Sequence, residues 1–146
     1  MPDYFPFIEP DTAEERTVPV CSEYAYDFET QNFKLNDDGG FYLVYEIEAL
    51  KIKLWKLFMT VRWQYDIFPP GYGNELESLI GRAYTQGYIN SEAERFVREA
   101  VDRNLSDYIK RLEDLTVDFD DGTLYISFKV ISIYGDFTID RLGVTL

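Results

Sequence analysis

The sequence predicts an α+β fold: an N-terminal extended arm and a β-hairpin, three helices, and a C-terminal antiparallel β-meander. Three observations carry this. Apolar residues alternate through 115–139 in runs broken by Asp120-Asp121-Gly122 and Gly135-Asp136, the mark of half-buried strands joined by tight turns. Apolar residues recur at three- and four-residue spacing in 46–60 and again in 91–107, the period of a helix face. Four of the six prolines (Pro2, Pro6, Pro10 and Pro19) stand in the first 20 residues, where they resist helix and central strand alike. With 146 residues, 46% of them apolar, the chain has the size of one domain and enough core to fold without a disulfide or metal staple.

Taken in order, residues 1–20 read as an acidic, proline-rich arm and residues 21–146 as a single domain. Tyr4, Phe5 and Phe7, with Glu9 and Asp11 beside them, suit an extended segment anchored on a surface rather than a disordered tail. Within 24–45, Tyr24, Tyr26 and Phe28 alternate with smaller residues, and the run from Asn36 through Asp38 to Gly39 and Gly40 is turn chemistry closing a hairpin. A helix is expected over 46–60, with Ile47, Leu50, Leu54, Leu57 and Val61 as its stripe. Residues 61–68 look extended until Pro69-Pro70-Gly71 stops them. Asn74 is placed to cap a short second helix that ends at Gly87. Ser91 and Glu94 form a capping box that opens a third helix running to about Asp107, with Glu94–Arg98 and Glu99–Arg103 as surface pairs. In the meander, Leu124, Ile126, Phe128 and Val130 share one face, and Tyr125, Ser127, Lys129 and Ile131 the other.

Charge and residue inventory exclude several function classes. The 27 acidic and 14 basic side chains give a net charge of −13. Nucleic-acid binding by counterion release needs clustered Lys and Arg, and an anionic membrane needs the same, so neither partner is expected. Residues 1–48 hold 12 acids against 2 bases, which reads either as a solvated face or as an acidic arm for a basic partner. The absence of histidine removes Ser-His-Asp and Cys-His catalysis and His-ligated metals, and the single Cys21 cannot make an intramolecular disulfide or a Cys-rich metal site. The first twelve residues lack the features of a signal peptide, and no apolar run approaches the roughly 20 residues of a membrane span. The expected location is the cytoplasm, unless a larger particle carries the chain out.

No cofactor or metal is expected. Asp118, Asp120 and Asp121 resemble a fragment of a calcium loop, but the rest of that pattern is missing and a turn explains them. Asp66, Glu75 and Glu77 are the acids that would serve a paired-carboxylate glycosidase, a chemistry that requires one carboxyl with a raised pKa in a cleft. Mimicry of DNA by an acidic helix is spoiled by Arg95, Arg98 and Arg103.

The pieces Tyr26-Asp27-Phe28, Glu48-Ala49-Leu50, Thr60-Val61-Arg62-Trp63-Gln64-Tyr65, Tyr72-Gly73-Asn74-Glu75-Leu76, Leu79-Ile80-Gly81 and Glu99-Ala100-Val101, together with the strand and turn over 124–135, carry a family resemblance in their order and spacing. The chain resembles the XkdS-like baseplate proteins of contractile phage tails and tail-derived bacteriocins, relatives of the small wedge protein that initiates the sheath. The resemblance covers about 24–140. It departs at one point, where relatives carry a Glu-Pro-Arg or Asp-Pro-Arg triplet that helps dock the wedge. Here Ser106-Asp107-Tyr108 stands in its place, with Lys110 or Arg111 to supply the charge.

The resemblance implies a structural protein in six copies around the tail axis, made in the bacterial cytoplasm and carried in the virion tail or released particle. Its partners would be sheath protein, baseplate wedge proteins, and tail-tube or tube-initiator proteins. Sheath strands would add to an open edge of the terminal sheet. That edge would be either the strand bearing Tyr125, Ser127, Lys129 and Ile131 or the strand bearing Phe137, Thr138 and Ile139. The arm would wrap neighbouring baseplate proteins. A lysozyme-like glycoside hydrolase of the baseplate is the alternative.

Overall fold

Strict alternation settles the C-terminal sheet. A computed structural model of the chain describes residues 17–60, 62, 64, 67–79, 85–120 and 122–145. Strands β5 (Ile109–Asp120), β6 (Thr123–Ser132) and β7 (Gly135–Thr145) pair antiparallel in the order β5-β6-β7, so β6 is central. Leu124, Ile126, Phe128 and Val130 are buried on its inner face. The second turn is Ile133-Tyr134, not the expected Gly135-Asp136. Ser132 explains the shift: its hydroxyl accepts from the Tyr134 amide (3.2 Å) and donates to the Gly135 carbonyl (2.5 Å), closing a two-residue loop with its side chain.

Both outer strands bulge near the middle of β6. Two residues of β5 oppose Phe128, between the Glu113–Lys129 and Thr116–Ser127 pairs, and two of β7 oppose Ser127, between the Ile126–Leu142 and Phe128–Ile139 pairs. Asp114 and Arg141 take the left-handed backbone (φ 52° and 45°) that such a bulge uses.

Helix α1 (Glu46–Met59) follows the predicted span and buries Ala49, Leu50, Ile52, Leu54, Leu57 and Phe58. Phe58 meets Phe128 edge-on at 5.9 Å, so α1 lies across the inner face of the sheet. Helix α2 (Gln86–Leu105) adds Ala93, Phe96, Val97, Ala100, Val101 and Leu105 to the same core.

The expected three helices are corrected to two. Between Asn74 and Gln86 the described residues form only a 3-10 turn, Leu76–Leu79. Asn74 does accept the Leu76 amide (3.1 Å), but its side-chain nitrogen is committed to the Leu57 and Phe58 carbonyls at the end of α1. The capping box is also not used. Thr85 caps α2 by accepting the Tyr88 amide (3.3 Å), and Ser91 lies inside the helix, donating back to the Gly87 carbonyl (3.0 Å). Glu94 pairs with Arg98 as expected (3.0 Å), whereas Glu99 pairs with Arg95 (3.1 Å) instead of Arg103.

The expected single hairpin is two small sheets. β1 (Ser22–Tyr24) pairs with β4 (Leu43–Tyr45), and β2 (Tyr26–Asp27) pairs with β3 (Asn32–Phe33). A bridge between Leu35 and Phe41 lies beyond them, and the Asn36 side chain closes the turn by accepting the Gly40 amide (2.8 Å). Tyr4, Phe5, Phe7, Glu9 and Asp11 of the arm lie outside the described residues, as do Val61, Trp63, Tyr65 and Asp66 of the expected extended run and Asp121 of the first turn.

Glu23 of β1 is held between Lys53 (3.1 Å) and Lys56 (2.8 Å) of α1, fastening the small sheets to the core. Burial works against its carboxylate, but the hydrogen bonds from Lys56 and Lys53 outweigh burial and hold the carboxyl below its ordinary value of 4.5. A carboxyl lowered on folding contributes stability above its unfolded pKa, and that stability is lost as pH falls through the folded value. Glu23→Gln should therefore cost about 1–2 kcal/mol at neutral pH. Its denaturation midpoint should converge with that of the wild type in acid. Parallel curves at all pH would contradict this role.

Candidate functional site

Both edges of β6 are occupied by its neighbours, so Tyr125, Ser127, Lys129 and Ile131 offer side chains but no free main-chain groups for an added strand. Arg141 stacks over the Tyr125 ring (4.3 Å), and its amide donates to the Ser127 hydroxyl (3.0 Å). Lys129 stands 4.0 Å from Asp136, and Ile131 is buried. The open edges belong to β5 and β7.

These two edges differ. α2 lies beside the first half of β5, and the Arg98 guanidinium donates to the Leu112 carbonyl (2.9 Å) while Glu94 holds it from behind. A carbonyl taken by a side chain is withdrawn from further pairing. Along β7, among the described residues, no strand pairs with the outer edge. The Ser132–Gly135 pair closes a two-residue loop, and hydrogen-bonded and non-bonded pairs alternate from it. Asp136 and Thr138 therefore direct their N–H and C=O away from β6.

Side chains sort along β7 in the same way. Thr138 is exposed opposite Lys129, whereas Phe137 and Ile139 pack against the core opposite Val130 and Phe128. Lys51 of α1 lies over the Phe137 ring at 5.6 Å. Between α1 and β7 runs a groove of about 350 Å³, with Leu54, Trp55, Met59 and Phe28 on one side and Ile139 and Leu142 on the other. A main-chain edge beside an apolar groove has what an added strand needs: hydrogen bonds for its backbone and a place for alternate side chains. The bulge at Arg141 limits the regular edge to 135–139.

Residues 22–135, from the start of β1 to the first residue of β7, match the family described as contractile injection system sheath initiator. The chain belongs to that family. It is also 24% identical over 130 residues to the phage-like element PBSX protein XkdS of Bacillus subtilis (strain 168), covering 88% of this chain and 86% of the relative.

A sheath initiator is a structural component of a contractile tail. The described carboxyls whose titration is displaced are all displaced downward: Glu23 as above, Asp27 by the amide of Glu29, Glu113 by its hydrogen bond from Arg111. A glycosidase acid needs the opposite displacement. Glu75 is ion-paired with Arg62, and Glu77 is exposed on the 3-10 turn. Among the described residues, no group of three or more acidic or Cys side chains is placed to hold a metal, and no helix is long and apolar enough to cross a membrane.

The stretch from Ser106 to Arg111, expected from the resemblance to dock the wedge, runs through the turn from α2 into β5. Ser106 and Asp107 are exposed there, as are Lys110 and Arg111, the latter paired with Glu113 at 2.7 Å. Tyr108 is internal in its role: its hydroxyl donates to the Pro19 carbonyl (3.1 Å) and its ring stacks on Tyr134.

Sequence reasoning missed two features. One is the Gly73-Asn74 clamp at the end of α1. The other is a row of exposed rings on the small sheets, signalled only by more aromatic residues in 24–45 than two short strands can bury.

Proposed function

We propose that this sheath initiator starts its sheath by strand addition to β7, with an incoming sheath strand pairing along 135–139. The observation that carries the reading is the contrast between the edges: β7 is open and lies beside an apolar groove, whereas β5 is guarded by Arg98. An exposed edge is ordinarily an aggregation hazard, and here it becomes the template for one programmed partner. Ile139 sets the inner lip of the groove, Phe137 packs on the core beside it, and Thr138 supplies the outward main-chain groups. Tyr125, Ser127 and Lys129 shape the wet face behind them.

In the same reading the chain docks on wedge proteins through Ser106, Asp107, Lys110 and Arg111, and sits against tail-tube or tube-initiator proteins. It repeats six times around the axis. The arm, through Tyr4, Phe5, Phe7, Glu9 and Asp11, wraps neighbouring baseplate proteins. Assembly takes place in the bacterial cytoplasm, and the finished tail carries the protein out.

Proline removes a ladder donor yet is tolerated on an edge. Thr138→Pro should leave the monomer folded, at a cost on the order of 1–2 kcal/mol against a reserve of about 5–15. It should abolish sheath polymerisation, leaving baseplates and bare tubes in micrographs. Lys129→Pro, in central β6, should fail to fold at all. Full-length sheaths on a folded Thr138→Pro protein would overturn the proposal.

A further inference from the structure

The small sheets carry a row of rings that the core does not absorb. Tyr24 meets Phe41 at 6.1 Å, Phe41 meets Phe33 at 5.3 Å, and Phe33 meets Tyr26 at 5.4 Å. Tyr26 in turn rests on Trp55 of α1 at 4.9 Å. The contacts are edge-on or tilted, so each ring fixes the next. Yet Tyr24, Phe33 and Phe41 remain 52%, 48% and 62% exposed, and Leu35 opposite Phe41 is 55% exposed. A contiguous apolar surface of this kind on a soluble chain marks an interaction site.

The charge around the row selects the partner. Residues 17–48 carry seven acidic side chains against one base, Lys34. Among the described residues, Glu23 alone of these carboxylates has an ion-pair partner; Asp37, Asp38, Glu46 and Glu48 have none. We infer that this face docks a basic segment of another protein, its Lys or Arg heads on the carboxylates and its apolar or guanidinium groups on the rings. Aromatic faces attract cations, and complementary charge favours and steers such an encounter. The chain's own material fits poorly. Residues 1–16 hold five acids and one base, and a second copy presents the same acidic face, so like charge opposes both. The inference needs only that the chain works within an assembly, and it stands whether or not strands add to β7.

The test places the photo-cross-linker p-benzoyl-phenylalanine at Leu35, leaving the ring row intact, and irradiates assembled tails. The expected product joins this chain to a segment of a different protein in which Lys and Arg outnumber Asp and Glu. Two double variants, Asp37→Lys/Asp38→Lys and Phe33→Ser/Phe41→Ser, should each lower the cross-linked yield about tenfold. The charge variant should do so with an unchanged melting temperature. Cross-links to residues 1–16, to a second copy or to an acid-dominated segment would overturn the inference. So would no cross-link at all from incorporated protein, or an undiminished yield from the charge variant.

Discussion

Replacing Gly73 by alanine should remove a large part of the protein's stability. Its φ is 101°, and a Cβ at this position would stand 2.8 Å from the Thr60 carbonyl oxygen, 2.9 Å from the Arg62 nitrogen and 3.0 Å from the Arg62 Cα. All three are backbone atoms, so no side chain can swing away. Nor can the segments slide apart, because the Asn74 amide donates to Thr60 (3.0 Å) and the Arg62 amide donates to Asn74 (2.9 Å), stitching them on either side of the contact. The strained backbone costs about 1–2 kcal/mol. The clash adds about 1–3 kcal/mol. A total of about 2–5 kcal/mol is a large part of the usual reserve of about 5–15. Urea denaturation of the purified variant measures it, and a loss under about 1 kcal/mol would mean the clamp yields.

The neighbouring residue carries the second large effect. Asn74 is 1% exposed, and its side-chain nitrogen donates to the carbonyls of Leu57 (3.0 Å) and Phe58 (2.9 Å), which the end of α1 leaves without helical partners, and to that of Thr60 (2.9 Å) just beyond it. Its oxygen accepts the Leu76 amide. Asn74→Ala strands the Leu57 and Phe58 carbonyls and the Leu76 amide away from water, while Thr60 keeps its bond from the main-chain amide of residue 74. It should cost about 3 kcal/mol, lowering the melting temperature by roughly 10 °C. Asn74→Asp keeps the acceptor but turns a carboxylate toward three carbonyls, so it should do at least as much damage. An aspartate variant as stable as the wild type would show that the donor bonds contribute nothing.

How far the fold could be read from sequence depended on the range of the forces involved. α1 and the meander were legible because burial imposes a period on nearby residues, and Leu50, Leu54 and Leu57 or Leu124, Ile126 and Phe128 display it directly. The start of α2 was misread because Ser91 and Glu94 have the spacing of a cap, yet a cap also needs extended backbone before it, and that occurs at Thr85. Asn74 did look like a cap, but three of its targets lie 14 to 17 residues back in the chain, beyond any local pattern. The Ile133-Tyr134 turn contains no turn-forming residue, and Ser132 makes it from outside.

The candidate edge was half legible. Alternation fixed which side chains of 124–131 face inward, and it named Phe137 and Thr138 as one of two possible edges. Which strand is central depends on pairing, and which edge is free depends on Arg98 reaching Leu112 from another element. The groove beside β7 joins residues from Phe28 to Leu142 and has no sequence signature.

The central claim is that a foreign strand lies along β7. A three-dimensional reconstruction of the assembled tail, at a resolution that separates strands, tests it directly at the first sheath ring. The account predicts a sheath strand hydrogen-bonded along 135–139, its main chain meeting the outward groups of Asp136 and Thr138 at the ordinary spacing of about 4.8 Å, with alternate side chains in the groove over Leu54 and Trp55. A β7 edge left in solvent or covered by a protein other than sheath, or a sheath strand paired with β5 instead, would contradict it.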